Sequence, residues 1–481
     1  MNSYRYGALI AGTWRDLGAE TFETRNPASP ATVVGQYGVS SAGDVADAIA
    51  AAVEAQSAWG SLPATERIRL CSEFFAAIGR RGEDLAHAIT LEQGKPLAEA
   101  RNETSKALAE AAAMASHVLS SGSQSVPEAR PGFHNMITRR PRGVIAAITP
   151  WNFPILTPMR KIAPALLFGN AIIIKPSEFT PATMCLIGEA ALETLPRGLV
   201  QIVLGHGRTG ADLAGAVGID GITFTGSVGT GRKIYALGAA NLAELSLELG
   251  GKNAVIINDV DNLEACLDQV AAAAFMCAGQ RCTAISRVLV AVALQDDVEA
   301  GLAARARRQT LGNGTQNGIT VGPLTNRAQF DKVCAMVAAS RLENARVVEG
   351  GEPNVTDPDH QGYFFQPTII SDVKPDMAIA HEEVFGPVIT ISSYNSVDEA
   401  FAILNGVDYG LTSALFSQDA SLIQRFVKES QNGMLHVNHG TIPDSHMPFG
   451  GIKNSGVGAY SVGASAANFY TTEHSVYLKA G

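Results

Sequence analysis

One cysteine has the neighbours expected of a nucleophile. Cys282 lies in the segment 279–283, after a predicted helix and before a predicted strand, and Arg281 directly precedes it. A neighbouring cation favours the thiolate, which is the nucleophilic form of cysteine. Cys277 lies five residues earlier in an Ala-rich helical stretch, and we interpret it as a packing residue. The sequence therefore predicts covalent chemistry at Cys282.

Two further residues could assist this nucleophile. Glu248 begins the apolar segment Glu-Leu-Gly-Gly, a setting that suits a carboxylate to the role of general base. Its alternative role is an ion pair with a lysine such as Lys252. Asn152 lies in the rigid segment Pro-Trp-Asn-Phe-Pro, and its amide could donate a hydrogen bond to a developing oxyanion.

Three segments could bind a dinucleotide. Residues 205–210 match the pattern GxGxxG, but no acidic residue follows clearly at the expected spacing, so a plain strand-to-helix turn is the alternative. Residues 225–231 are predicted to end a strand and open a helix. Their backbone N–H groups and the Ser227 hydroxyl could hold a pyrophosphate. Residues 175–178 offer a cation and a carboxylate to ribose hydroxyls.

The elements around these segments alternate between strand and helix. After Pro141, short β-branched runs are separated by helical segments, which predicts a parallel, doubly wound sheet. A second alternating region starts near Gly251, and a helical region precedes both, from about Ser41 to Leu119. Ligands of such sheets bind at the carboxyl ends of the strands. We therefore expect an active site between two α/β units.

Composition excludes several other functions. The chain has 481 residues, 46% of them hydrophobic, and a net charge of −10, which gives nucleic-acid binding little support and excludes global disorder. No apolar run is long enough for a membrane helix, and the first residues lack a secretory signal pattern. The six cysteines show no CxxC spacing, and the single His-x-x-His pair lacks a third ligand. We expect a reduced, cytoplasmic protein without a metal site or membrane partner.

Together, seven segments in chain order resemble the NAD(P)-dependent aldehyde dehydrogenase superfamily. Within that superfamily, the chain resembles most the succinate-semialdehyde-like members. The resemblance covers nearly the whole chain. The matching segments are 150–154, 175–178, 224–231, 248–251, 279–282, 382–387 and 448–451.

The resemblance implies an α/β fold with three parts. These are a Rossmann-like cofactor domain (residues 1–119 and 140–249), an α/β catalytic domain (250–459) and a small β oligomerisation ribbon (120–139 and 460–481). The tail after Asn468 alternates like an edge strand, and an edge strand needs a partner. We therefore expect a homodimer or homotetramer.

The resemblance also implies a role for individual residues. Cys282 is the nucleophile that forms a thiohemiacetal and then a thioester, Asn152 is the oxyanion donor, and Glu248 activates the water that releases a free acid. The Glu178 carboxylate would repel a 2′-phosphate, so NAD is expected over NADP. The residues expected at the cofactor are Pro150, Trp151, Lys175, Ser177, Glu178, Gly207, Thr225, Gly226, Ser227, Thr230, Gly231, Leu249, Glu383 and Phe385.

The substrate is predicted from arginines. Arg160 and Arg281 fall where the resembled fold has its substrate tunnel, with Arg101 and His439 as further candidates. A guanidinium group suits a carboxylate, so we expect a small aldehyde with an anionic or polar tail, such as succinate semialdehyde.

Alternatives to this substrate remain open. The arginines could instead bind local acids, and Met276 and Ala284 stand where many succinate-semialdehyde dehydrogenases have an arginine and a cysteine. A neutral hydroxylated or aromatic aldehyde is then the alternative substrate. A catalytically idle homologue is the alternative from another class of function.

Overall fold

Strands and helices alternate along most of the chain, as the sequence predicts. The computed structural model describes residues 4–354 and 362–479. The sequence pattern predicts a strand over 221–225 and helices over 182–194 and 263–275, and the structure has strand Gly221–Thr225 and helices Ala182–Thr194 and Leu263–Phe275. The strands are β1 (Tyr4–Tyr6), β2 (Leu9–Ile10), β3 (Thr13–Trp14), β4 (Thr21–Asn26), β5 (Ser29–Gly38), β6 (Gln124–Val126), β7 (Phe133–Pro141), β8 (Val144–Ile148), β9 (Ala171–Lys175), β10 (Val200–Ile202), β11 (Gly221–Thr225), β12 (Glu244–Glu248), β13 (Ala254–Ile257), β14 (Arg287–Ala291), β15 (Arg346–Glu349), β16 (Thr368–Ser371), β17 (Val388–Tyr394), β18 (Tyr409–Gly410), β19 (Thr412–Phe416), β20 (Met434–Val437), β21 (Ile452–Lys453), β22 (Gly456–Val457) and β23 (Thr471–Lys479).

The helices cover the faces of the two large sheets. None of those in the described part of the chain is long and apolar enough to cross a membrane. The helices are α1 (Ala42–Gly60), α2 (Ala64–Arg80), α3 (Gly82–Gln93), α4 (Leu97–Ser120), α5 (Leu156–Leu167), α6 (Ala182–Thr194), α7 (Gly207–Ala214), α8 (Val228–Ala240), α9 (Leu263–Phe275), α10 (Gln295–Arg307), α11 (Arg327–Leu342), α12 (Ala378–His381), α13 (Val397–Asn405), α14 (Ala420–Glu429) and α15 (Ala466–Tyr470), with 3₁₀ segments at Met276–Gly279 and Val292–Leu294.

The first large sheet has eight strands in the order β22-β12-β11-β8-β9-β10-β2-β3. Strands β8 to β12 are parallel, and β22 and β2 join their edges antiparallel. Every residue of β8 and β9 is buried, which is typical of a parallel sheet covered by helices on both faces. The three segments that the sequence offers to a dinucleotide, 175–178, 205–210 and 225–231, follow β9, β10 and β11, at the carboxyl ends of these strands.

The second large sheet has seven strands in the order β15-β16-β17-β14-β13-β19-β20, all parallel except the edge strand β15. Its core is separate from that of the first sheet. The predicted α/β fold class is therefore confirmed, with two α/β units in one chain.

A third, antiparallel sheet has the strand order β23-β7-β6. Strands β7 and β23 pair along nine residues, from Phe133 opposite Lys479 to Pro141 opposite Thr471. Just before β23, helix α15 buries Phe469 and Tyr470 in the core of the first sheet. The domain boundaries stay a prediction.

Candidate active site

A cavity of about 380 Å³ lies at the carboxyl ends of the first sheet, with residues of both α/β units in its wall. Strand ends of a parallel sheet are where ligands of this architecture bind. The structure brings most of the predicted site residues together here. Those that line the cavity are Pro150, Trp151, Asn152, Arg160, Thr225, Gly226, Ser227, Glu248, Leu249, Arg281, Cys282, Glu383 and Phe385.

The nucleophile segment is shaped by a left-handed turn. Helix α9 ends at Phe275, and Cys277, Ala278 and Gly279 follow with φ values of 56°, 52° and 70°. A Cβ atom at position 279 would lie 2.0 Å from the carbonyl oxygen of Gly386, so only glycine fits there. Cys277 is buried in this turn rather than in a helix, although it does pack as predicted.

Cys282 itself is held by a buried asparagine that the sequence analysis missed. The side chain of Asn253 donates to the carbonyl oxygens of Cys282 and Ala284 at 2.6 and 2.9 Å. The Cys282 thiol is partly exposed and lines the cavity. No local pattern distinguishes Asn253, because its partners lie about 30 residues further along the chain.

The surroundings of Cys282 oppose the thiolate that the sequence predicts. Burial, with a smaller contribution from the charge of Glu248, raises the pKa of the Cys282 thiol to about 12, while Arg160 and Arg281 act in the opposite direction. Desolvation of a thiolate outweighs the neighbouring cation that the sequence suggested. The surroundings in this structure therefore favour the neutral thiol.

Glu248 ends strand β12 and is held by two hydroxyl groups. Ser461 donates to Oε1 at 2.7 Å and Thr225 donates to Oε2 at 3.1 Å. Its alternative partner, Lys252, makes no side-chain hydrogen bond within residues 4–354 and 362–479. In the part of the chain that the structure describes, no cationic side chain lies within ion-pair distance of the Glu248 carboxyl group, which lines the cavity and suits the role of a general base.

Asn152 is buried in the loop between β8 and α5. Its Nδ2 donates to the carbonyl oxygen of Gln280 at 2.9 Å, two residues before Cys282. An amide nitrogen has two N–H donors, so a second one is available to a substrate oxygen. This hydrogen bond ties the predicted oxyanion donor to the nucleophile segment.

Two aromatic rings and a carboxylate form the cofactor side of the cavity. The rings of Trp151 and Phe385 meet edge to face with centroids 5.4 Å apart. Glu383 accepts the backbone N–H of Gly251 at 2.9 Å, and its backbone oxygen accepts Lys332 Nζ at 2.6 Å. An aromatic wall beside a fixed carboxylate could contact the ring and ribose of a nicotinamide nucleotide.

The start of helix α8 fits a pyrophosphate. The Ser227 hydroxyl caps this helix by accepting the N–H of Thr230 at 3.3 Å, which leaves other first-turn N–H groups available to an anion. A Cβ atom at Gly231 would lie 2.5 Å from the Leu249 side chain, so glycine permits the close approach of helix and strand end.

A polar cluster lies at the ends of β9 and β10, outside the cavity wall. Lys175 Nζ lies 3.4 Å from a Glu178 oxygen, and His206 Nδ1 lies 3.8 Å from the other. Burial lowers the pKa of Lys175, while Glu178 raises it. Ser177 is buried in the same segment, and Gly207 begins helix α7 next to it. The cluster offers donors and an acceptor to a second ribose.

The two cavity arginines differ in their partners. Arg160 is bound to Glu110 by two hydrogen bonds of 2.6 and 2.9 Å, with both side chains buried. Arg281 is also buried, but its contacts are Thr283 Oγ1 at 3.1 Å, the Thr441 carbonyl oxygen at 3.4 Å and a methionine sulfur. Within the two described ranges, no carboxylate lies within ion-pair distance of Arg281.

Two predicted substrate residues do not reach the cavity. Arg101 is on the outer face of α4, where its half-exposed guanidinium group pairs with Glu83 at 2.8 Å. His439 is exposed and its Nε2 lies 3.4 Å from Nδ1 of His436. The structure does not bring these two side chains to the cavity wall, because a residue near a motif in sequence can face solvent when it lies on the opposite side of its helix or loop.

The histidine pair does not form a metal site. Among the residues that the structure describes, no three histidine, cysteine or acidic side chains could jointly hold a metal ion. Burial lowers the pKa of His436 to about 4, and His439 lowers it further.

The comparisons with known proteins identify the family. The model of the aldehyde dehydrogenase family matches residues 14–476. An α-ketoglutarate semialdehyde dehydrogenase of Haloferax volcanii is 36% identical over 462 residues, 95% of each chain. The crystal structure of an NAD-dependent aldehyde dehydrogenase from Sinorhizobium meliloti superposes with a TM-score of 0.96 at 31% identity, covering 100% of this chain and 95% of that one.

A structure of an Escherichia coli NADP-dependent enzyme is similar to the same degree. Its TM-score is 0.95 at 32% identity, covering 99% of this chain and 98% of that one. The predicted class of enzyme, an oxidoreductase that uses NAD(P), is thereby confirmed. The cavity lies at the strand ends of the first sheet and has residues of both α/β units in its wall, and the family model matches almost the whole sequence. Together these findings lead to one conclusion: this chain belongs to the aldehyde dehydrogenase family.

Proposed function

We propose that this protein oxidises a short semialdehyde with a carboxylate tail to the free acid, with NAD as the preferred cofactor. The substrate class includes α-ketoglutarate semialdehyde, after the activity for which the Haloferax volcanii relative is named, and succinate semialdehyde as its shorter analogue. The observation that carries the proposal is the buried Arg281 guanidinium, which lines the cavity beside Cys282 and has no carboxylate partner in the described ranges.

The buried Arg281 cation, which has no ion-pair partner in the described ranges, would be stabilised by an anionic ligand. Burial lowers the pKa of Arg281, and the charge of Glu99, which lines the same cavity, opposes this shift only in part. A substrate carboxylate would supply a direct partner through charge-assisted hydrogen bonds. Lys106 lines the same cavity, but its Nζ already lies 3.8 Å from a Glu110 oxygen. Arg160 contributes less, because Glu110 already neutralises it.

The cavity residues support covalent catalysis. The Cys282 thiol loses its proton to solvent, and the thiolate adds to the aldehyde carbon to give a thiohemiacetal. The Asn152 amide and the Cys282 backbone N–H stabilise its oxyanion. The nicotinamide cofactor, when bound, supplies the hydride acceptor. Glu248 then activates water against the resulting thioester. A catalytically idle homologue would lack one of these groups, and all three side chains line the cavity.

Replacing Arg281 should change substrate preference. For Arg281→Met we expect kcat/KM for succinate semialdehyde to fall by about 10- to 100-fold, the worth of one or two hydrogen bonds to a charged group. The kcat/KM for butanal, which has the same length and no charge, should change by less than about threefold on the same reasoning. NADH formation measures both rates.

The matched control is Arg101→Met, an arginine of the same charge outside the cavity. It should leave both values unchanged. An equal loss for the charged and the neutral aldehyde in Arg281→Met would overturn the assigned substrate class.

Glu178 is proposed to select NAD. A carboxylate can accept ribose hydroxyls but repels a 2′-phosphate, and the Lys175 ammonium group and the His206 imidazole lie beside it as groups that a phosphate could use. We expect Glu178→Ser to raise the ratio of kcat/KM for NADP to that for NAD by about tenfold or more.

The control for the cofactor prediction is Glu193→Ser, which removes a carboxylate paired with Arg81 on the surface of the same α/β unit. The ratio should not move in this control. If it also stays constant in Glu178→Ser, Glu178 does not determine the cofactor.

The proposal includes a homo-oligomer in a reducing, cytoplasmic compartment. The three-stranded sheet exposes Val126, Tyr477 and Leu478, apolar side chains that a second copy could cover. All six cysteines are free thiols, which suits a reducing compartment.

A further inference from the structure

Helix α5, which follows the Asn152 loop, is capped by another helix. Its N-cap residue, Ile155, makes no side-chain capping hydrogen bond. The backbone N–H groups of Ile155 and Leu156 instead donate to Glu103 Oε1 at 3.0 and 3.1 Å. A carboxylate at this position satisfies two unpaired donors and opposes the positive end of the helix dipole. Glu103 of α4 therefore fixes one end of the segment 152–156.

The other end of the same segment is fixed by the partner of Glu103. Lys95 Nζ lies 2.6 Å from Glu103 Oε2, and both side chains are 1% exposed. Lys95 also donates to the backbone oxygen of Asn152 at 2.8 Å and lies over the Phe153 ring, 4.1 Å from its centroid. A buried ion pair is tolerated when its remaining donors and acceptors are satisfied, and here the segment 152–156 satisfies them.

This arrangement determines where the Asn152 amide points. Its backbone oxygen is held by Lys95 and its side chain by the Gln280 carbonyl, so neither peptide nor side chain rotates freely. Both residues border the cavity, but their side chains are 1% exposed and their polar atoms are bound to each other and to the segment 152–156. We propose that the Lys95–Glu103 pair is a positioning device for the oxyanion donor that acts through Asn152. The inference rests on the proposed role of Asn152 in the reaction.

A double-mutant cycle tests the proposal. The double substitution Lys95→Met with Glu103→Gln removes both charges together and keeps a side-chain oxygen for the N–H groups of Ile155 and Leu156. It is measured alone and combined with Asn152→Ala, using propanal and NAD. Propanal has no charge, so Arg281 does not contribute. Thermal unfolding of each variant reports whether the fold is retained.

We expect Asn152→Ala to lower kcat by about 10²- to 10³-fold, as for the loss of one oxyanion donor. The Lys95→Met and Glu103→Gln double variant should lose about 10- to 100-fold in kcat through misplacement, with the KM for propanal unchanged. The combination should be no worse than Asn152→Ala by more than about threefold, because positioning has no effect once the donor is gone.

Glu92→Gln is the matched control, a buried, hydrogen-bonded carboxyl outside the cavity. Any loss it causes should multiply with that of Asn152→Ala. Should the Met variant not fold, Lys95→Gln with Glu103→Gln replaces it in the cycle, with a smaller loss of the same kind expected.

Two results would overturn the positioning role alone. One is a loss of kcat in the Lys95→Met and Glu103→Gln double variant that multiplies with the loss in Asn152→Ala. The other is a wild-type kcat in the double variant. A wild-type kcat in Asn152→Ala would instead remove Asn152 from the proposed reaction, and the positioning role with it.

Discussion

Replacing Cys282 with alanine is expected to lower aldehyde oxidation by roughly 10⁴-fold or more, the largest effect of any single change in this protein. Without the sulfur no thiohemiacetal forms, and a free aldehyde has no adjacent oxyanion to drive hydride departure. The steady-state rate of NADH formation with propanal measures the loss. Binding of the dinucleotide, followed by protein fluorescence, should persist because the pyrophosphate and ribose residues are untouched.

The matched control is Cys334→Ala, another partly exposed cysteine that lies on α11 away from the cavity wall. It should retain wild-type turnover. Near-wild-type turnover in Cys282→Ala would remove the basis of the mechanism.

Replacing Glu248 with glutamine should separate the two halves of the reaction. The amide has the size of the carboxylate and can still accept the Ser461 hydroxyl at one oxygen, but it cannot take a proton from water. We expect steady-state turnover to fall by about 10²- to 10⁴-fold, the usual contribution of a general base. A rapid phase of about one NADH per active site should precede steady-state turnover, with the thiolate formed by proton exchange with solvent. The rate of this phase should rise with pH, because burial raises the pKa of the Cys282 thiol to about 12.

The control is Glu92→Gln. Burial raises the pKa of Glu92 to about 7, so at neutral pH glutamine resembles a form that the wild type already populates. Turnover in this control should be close to that of the wild type. A Glu248→Gln enzyme with an undiminished steady-state rate would show that another group activates water.

The central residues could be predicted because the residues next to them in sequence indicate their chemistry. Cys282, Glu248 and Asn152 lie in short segments at the ends of predicted elements, and parallel strands bring such ends to one edge of a sheet. The alternation of strands and helices predicted that edge. Local pattern singled out these three residues, the family resemblance joined them into one predicted site, and the structure brings them to one cavity.

The residues that support them could not be predicted in this way. Ser461 lies 213 residues from Glu248, and Lys95 lies 57 residues from Asn152, so only the folded chain shows these contacts. Burial and long-range pairing also escape local pattern. Burial raises the pKa of Cys282 although an arginine is its neighbour. The fold gives Arg160 an acid partner, Glu110, whereas Arg281 has none in the described ranges.

The most direct test of catalysis through Cys282 is mass spectrometry of the Glu248→Gln enzyme, quenched in acid during turnover with NAD and propanal. The proposed mechanism predicts an acyl group on the peptide that contains Cys282. Its added mass should equal that of propanal less two hydrogen atoms, which marks an oxidised thioester rather than a simple adduct. An unmodified Cys282 peptide while NADH accumulates, or an acyl group on another residue, would contradict it.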